Sequence, residues 1–190
     1  MTLLGRLLNN RRAGETHTAW RLPNLEGPDT LTLTSEDFGD GQAMSLRHCA
    51  KTIGGDDVSP HLAWTAPPTG TAQLLLVVED IDVPLAKPAV HCLALIDPAA
   101  GHLDPGALAT RRPASGVRLL RSTIGRGYHG PGPIKGHGPH RYIFELFALA
   151  APLDNTPTTT PPDRKRPRAL LPTITAPVLA RGRLTGTYER

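Results

Sequence analysis

A chain of 190 residues, 39% of them hydrophobic and 20% charged, can bury one sizeable core and is too apolar for a disordered polypeptide. Its net charge of +4 suits anionic guests. Basic residues interleaved with stacking aromatics, zinc-finger spacing and a basic helix leading into heptads are all missing, which excludes a nucleic-acid-binding module. No run of about 18 apolar residues occurs, which excludes a membrane-spanning helix, and two cysteines without a secretory signal predict free thiols in a reducing, cytoplasmic setting.

In chain order, Leu3, Leu4, Leu7 and Leu8 share one helical face with Arg6, Arg11 and Arg12 alongside. This short basic amphipathic helix either docks on a membrane surface or partner, or is packed on its own domain or frayed as an extension, and the latter pair is the expectation. Residues 14–30 read as an arm, so that 1–30 form an N-terminal extension and 31–190 a single domain. Leu31 to Ser35 reads as a first strand. Leu74 to Glu79 is apolar and partly β-branched, a buried strand that ends in Asp80-Ile81-Asp82-Val83-Pro84, with Pro84 the place where the chain can bend. His91 to Ile96 is a second apolar strand, opening on a histidine. From Ala151 to Pro177 seven prolines recur. Each costs a helix interior about 3 kcal/mol, so only a short helix between prolines is expected, with Arg164-Lys165-Arg166 in a solvated loop. Short strands separated by Gly/Pro-rich connections, with helical signal only at the two ends, predict a β-sandwich or mixed β-rich domain.

The chemistry concentrates between Tyr128 and Tyr142, where glycines, prolines, a lysine and several imidazoles share one loop. Glycine admits φ > 0 and close approach, proline removes donors, and the remaining N–H groups can converge on an anion. With Asp80 or Asp82 accepting from one nitrogen of His91 or His140, the other N–H can point at an oxyanion. N–H groups of the Gly130 to Gly132 turn and the Tyr142 hydroxyl complete such a shell. Phosphate is the natural guest, and a spare carboxylate suits an ethanolamine ammonium. Against this stand a mixed O/N metal site, whose spacing matches no dedicated motif, and a hydrolase, whose paired carboxylates lie too close in sequence to oppose each other across a bond. No nucleophile elbow or P-loop motif occurs. A binding module without catalytic residues, metal or cofactor is the expectation. The alternatives are a hydrolase using the Asp/His pocket and an interaction protein acting through its N-terminal helix and Pro-rich segment.

Asp80-x-Asp82-x-Pro84, His91, Gly130-Pro131-Gly132-Pro133 and Gly136-x-Gly-Pro-His140-Arg141-Tyr142 together resemble the phosphatidylethanolamine-binding protein family in its bacterial, Raf-kinase-inhibitor-like branch. Ser59-Pro60-x-Leu62-x-Trp64, Phe144 to Leu149 and Gly186-Thr187-Tyr188 agree in order. The resemblance implies a mainly β, antiparallel sandwich with a few short peripheral helices. It implies an anion pocket lined by Asp80, Asp82, Pro84, His91, Gly130, Pro131, Gly132, His140 and Tyr142, with phosphate or a phosphoethanolamine-type group as ligand. A cis Val83–Pro84 bond, a homodimer and peripheral membrane contact are further implications. Ile81, Cys92 and Ile134 depart from the family pattern, the second removing an apolar wall. Arg141 is expected to fork to a carboxylate or carbonyls behind the loop rather than touch ligand.

Overall fold

The computed structural model describes residues 3–8, 10–153 and 161–190. Six strands, β2 (Gln42–Ala43), β4 (Gln73–Asp80), β5 (Ala89–Ile96), β7 (Val117–Leu119), β8 (His140–Leu149) and β9 (Val178–Tyr188), form one sheet in the order β2-β9-β8-β4-β5-β7. A smaller sheet, β1-β3-β6, joins Leu33–Thr34, Leu62–Trp64 and His102–Leu103. Every pairing is antiparallel except β2 with β9, which is parallel. Mainly β architecture with two packed sheets is what the strand pattern predicts.

The run Leu74-Leu75-Leu76-Val77-Val78 is apolar at every position because both faces of β4 are covered. Leu74, Leu76 and Val78 pack with Tyr142, Phe144 and Leu146 against the small sheet's Leu33, Leu62 and Trp64. Leu75 and Val77 join Leu93, Leu95 and Phe147 under a second layer. That layer is the arm, whose Ala19, Trp20 and Leu25 are buried, together with Leu170, Leu171 and Ile174 from the Pro-rich segment. Trp20 meets Phe147 at 5.9 Å and carries the Arg181 guanidinium 3.9 Å above its ring, a cation–π contact.

Helices are short, as proline content requires. α1 covers Leu3–Leu8 and α2 only Pro167–Leu170. Of the amphipathic pattern predicted in α1, the side chains of Leu3, Leu4 and Arg6 lie outside what the structure describes, while Leu7 is exposed and Gly5 buried. A Cβ on Gly5 would stand 2.3 Å from the Lys135 carbonyl oxygen, so α1 packs on its own domain at that glycine. Prolines within 154–160 fall outside the described residues.

One expectation is corrected. No cis peptide occurs among the described residues, and Val83–Pro84 is trans. The bend is made differently: Leu85 N–H donates to the Val83 carbonyl at 2.8 Å, a three-residue turn centred on Pro84, whose fixed φ fits that position.

Candidate functional site

Between Val78 and Glu79 the pairing of β4 with β5 shifts register, Val78 facing Cys92 and Glu79 facing Val90, which leaves His91 as the extra residue. Such a bulge re-aims a side chain. Cys92, Ala94 and Ile96 belong to the first core and Val90 to the second, so the bulge inverts the alternation. His91 thereby meets the Tyr142 ring edge-on at 5.3 Å.

His91, Asp80 at the end of β4 and His140 at the start of β8 line a cavity of about 510 Å³. Pro84, Gly130 and Gly132 line it too, so six of the nine residues expected at the site converge. The other three stand behind the wall. Asp82 takes both Arg141 Nε and Nη2 at 2.8 Å, the Arg141 backbone N–H at 2.8 Å, and Arg12 at 3.0 Å. Burial alone would raise this carboxyl, but the Arg141 hydrogen bonds and charge hold it below the usual range. Arg141 is thus structural, as expected. The Pro131 carbonyl accepts Ala50 N–H at 2.8 Å and pins the glycine loop. The Tyr142 hydroxyl is buried beside Asp80 and the Gly132 backbone, and desolvation, with Asp80 adding to it, pushes its pKa far up.

Asp57 was not expected. It lines the cavity, adopts φ 54°, accepts the Gly130 N–H at 2.8 Å and faces Lys51 N–H at 3.3 Å. The signal available for it was weak: an aspartate after Gly54-Gly55, in a left-handed conformation that Asp tolerates better than most residues. One donor of the predicted cradle is therefore already engaged. Gly130 is required here for closeness, since a Cβ would lie 2.1 Å from the His48 carbonyl oxygen. Gly130→Ala is expected to lose about 1–3 kcal/mol through overpacking. An unchanged thermal midpoint would contradict the close approach.

His140 is committed on both sides. Its Nδ1 lies 2.7 Å from Asp80 Oδ2 and its Nε2 2.7 Å from His137 Nδ1. His137 Nε2 reaches the carbonyls of Leu8 at 2.7 Å and Arg11 at 3.1 Å. Carbonyls only accept, so His137 Nε2 carries hydrogen, and a proton must also lie between the two rings. No N–H of His140 is left for a guest, contrary to expectation.

His91 differs. Its Nδ1 donates to the His129 carbonyl at 2.7 Å. Burial lowers its pKa, with Asp80 opposing, so at neutral pH its Nε2 bears a lone pair. Leu85 and Ile124, 55% and 53% exposed, join Ile134 as apolar wall and rim. Cys49 and Cys92 are buried free thiols, and burial pushes Cys92 up to about 12. Among the described residues no cluster of His, Cys, Asp or Glu is arranged to hold a metal ion, and no helix is long and apolar enough to cross a membrane.

Residues 34–189 match the family model described as phosphatidylethanolamine-binding protein. A UPF0098 protein of Aquifex aeolicus is 31% identical over 165 residues, covering 86% of this chain and 91% of its own. The phomoidride biosynthesis cluster protein B of a fungus is 31% identical over 171 residues, covering 85% and 81%. The crystal structure of Escherichia coli YbcL, described as a member of the mammalian PEBP family, superposes with a TM-score of 0.70 at 26% identity, covering 84% of this chain and 98% of that one.

Proposed function

The chain belongs to the phosphatidylethanolamine-binding protein family, and from that premise we propose that it binds small phosphate-bearing ligands of the phosphoethanolamine type in the cavity at Asp80 and His91. One observation carries the reading. Among the described residues, His137 and His140 have both ring nitrogens engaged, whereas two histidines line the cavity with an unengaged nitrogen: His129, whose Nε2 is buried without a partner, and His91, whose Nε2 has no protein partner. Once protonated, Nε2–H donates to a phosphate oxygen, while Nδ1–H stays on His129. Alternatively a phosphate hydroxyl donates to the Nε2 lone pair. Either way the complex holds a proton at this contact. The carboxylates of Asp57 and Asp80 suit an ammonium group on the same ligand, and Leu85, Ile124 and Ile134 suit an apolar tail.

Binding without turnover fits the remaining geometry. Asp82, the partner carboxylate a hydrolase would need, is held by two arginines outside the cavity. The Cys92 thiol is too buried and too weakly acidic to attack a substrate.

The test is an NMR titration with phosphoethanolamine. Affinity is expected to rise as pH falls, by roughly tenfold per unit above the ligand's and His91's own titrations. His91→Ala should lose both the affinity and the slope. Equal affinity at pH 6 and 8, or unchanged binding in His91→Ala, would overturn the assignment, and turnover of a phosphate or carboxylate ester would favour the hydrolase.

A further inference from the structure

Beyond Ile124, a wall of the first cavity, the preceding residues Arg121, Ser122 and Thr123 turn to a separate cleft of about 270 Å³, closed by Arg166, Pro167 and Arg168. Three of its six lining residues are arginines and none is acidic. Asp163, the carboxylate nearest along the chain, is engaged elsewhere, with Arg126 at 3.3 Å and Arg118 at 3.7 Å.

The arginines are not equivalent. Arg168 is fixed: Nη1 donates to the His17 carbonyl at 2.7 Å, and Nη2 to the Pro88 carbonyl at 2.7 Å and to Glu79. Its Nε–H is sealed from solvent and has no acceptor, so Arg168 brings charge to the cleft, and its Nε–H resonance reports on an anion held nearby rather than on a direct contact. A buried donor without a partner is costly, and a charged one more so. The side chains of Arg121 and Arg166 are exposed and make no hydrogen bond or ion pair among the described residues. Glu79 balances one of the three charges, so two remain uncompensated around one concavity. Ser122 Oγ accepts the N–H groups of Ile124 and Gly125, and Thr123 Oγ1 that of Val90, which leaves both hydroxyl hydrogens to donate.

We propose that this cleft is a second anion site, taking a phosphate- or sulfate-type oxyanion independently of the first cavity. Every side-chain group it offers is a donor, and guanidinium forks match the several acceptor oxygens of a tetrahedral anion. Its volume admits inorganic phosphate or the phosphate of a monoester. The assignment does not rest on the ligand of the first cavity.

The probe is inorganic phosphate, followed at the arginine Nε–H resonances of the full chain in a His91→Ala background that silences the first site. The Arg168 Nε–H signal should shift saturably. The Arg121→Ala/Arg166→Ala double variant, whose side chains support no contact in the fold, should weaken that response by about 100-fold, since each charge-assisted contact carries about tenfold. In an otherwise unaltered chain the same double variant should leave the His91 response in place. A parallel arm uses phosphatidic acid vesicles against phosphatidylcholine vesicles. Saturation by free phosphate assigns a soluble ligand, and a response to phosphatidic acid vesicles alone assigns a lipid phosphate; both uphold the site. An Arg168 Nε–H signal unmoved by either probe, or unchanged affinity in the double variant, overturns it.

Discussion

Replacing Arg168 with methionine is expected to lower stability by about 3–5 kcal/mol, the cost of leaving a buried charge without its partner, read from urea unfolding midpoints at pH 7. Glu79 is fully buried on the second face of β4. Its Oε2 accepts Ala19 N–H at 2.6 Å and its Oε1 meets Arg168. Burial raises this carboxyl, and the Arg168 charge and hydrogen bond are the main forces against the rise. Without the guanidinium the carboxylate must take a proton or unfold the arm it anchors. The double variant Arg168→Met/Glu79→Gln should recover part of the loss, because no charge is then stranded. A loss below about 1 kcal/mol in the single variant would show that the pair behaves like a surface ion pair.

Two residues further along β8's pairing with β4 lies Glu145, also fully buried, whose Oε2 accepts Trp20 N–H at 3.1 Å and whose carboxyl group lies against that of Glu79. Burial, reinforced by the Glu79 charge, holds its pKa well above the ordinary value of 4.5. The sign follows from linkage. Above pH 4.5 the unfolded chain releases this proton while the folded chain keeps it, so stability falls as pH rises, by up to about 1.4 kcal/mol per unit. Asp82 acts oppositely: lowered from 3.8, it contributes stability at higher pH and loses it on acidification. Glu145→Gln keeps the uncharged shape and removes one slope, so it should stabilise the protein more at pH 8 than at pH 5. Equal gains at both pH values would mean that Glu145 folds ionised.

Strands β4 and β5 were legible because they carry β-branched and aliphatic runs bounded by turn residues, and a doubly covered strand leaves no polar face to obscure them. β8 was reached only through the family resemblance, and β9, the longest strand, was hidden by its half-exposed face with Arg181 and Arg183. The loop from Gly130 to Tyr142 was legible through glycine and proline. Three features were not. Glu79 and Glu145 read as ordinary strand residues, and only the tertiary placement of Ala19, Trp20 and Arg168 makes them anchors. The bulge at His91 depends on a register between distant strands, which no local pattern carries. Asp57 belongs to a turn whose partner, Gly130, is 73 residues away. Asp80 and Asp82 look alike in sequence, yet two arginines claim one and an imidazole the other.

Replacing His137 with alanine is expected to cost about 3 kcal/mol, because a charge-assisted hydrogen bond to His140 and the hydrogen bonds to two carbonyls disappear together, and to loosen the N-terminal segment first. His137 is 1% exposed and joins three elements: His140 of β8, the Leu8 carbonyl at the end of α1, and the Arg11 carbonyl. The segment beyond is sewn to the cavity's own wall. Ala13 N–H donates to the Val83 carbonyl at 3.0 Å and Gly14 N–H to the Ile81 carbonyl at 2.7 Å, while Arg12 reaches Asp82. Val83 and Pro84 line the pocket, so the proposed ligand at Asp80 and the docking of residues 10–14 would act on one hydrogen-bonded unit. In His137→Ala, trypsin should cut after Arg11 or Arg12 while the sheet stays protected, and bound phosphoethanolamine should no longer change that cutting. His137→Phe fills the volume without any of these hydrogen bonds and should behave alike. If the alanine variant resists trypsin as the unaltered chain does, the histidine chain does not hold the segment.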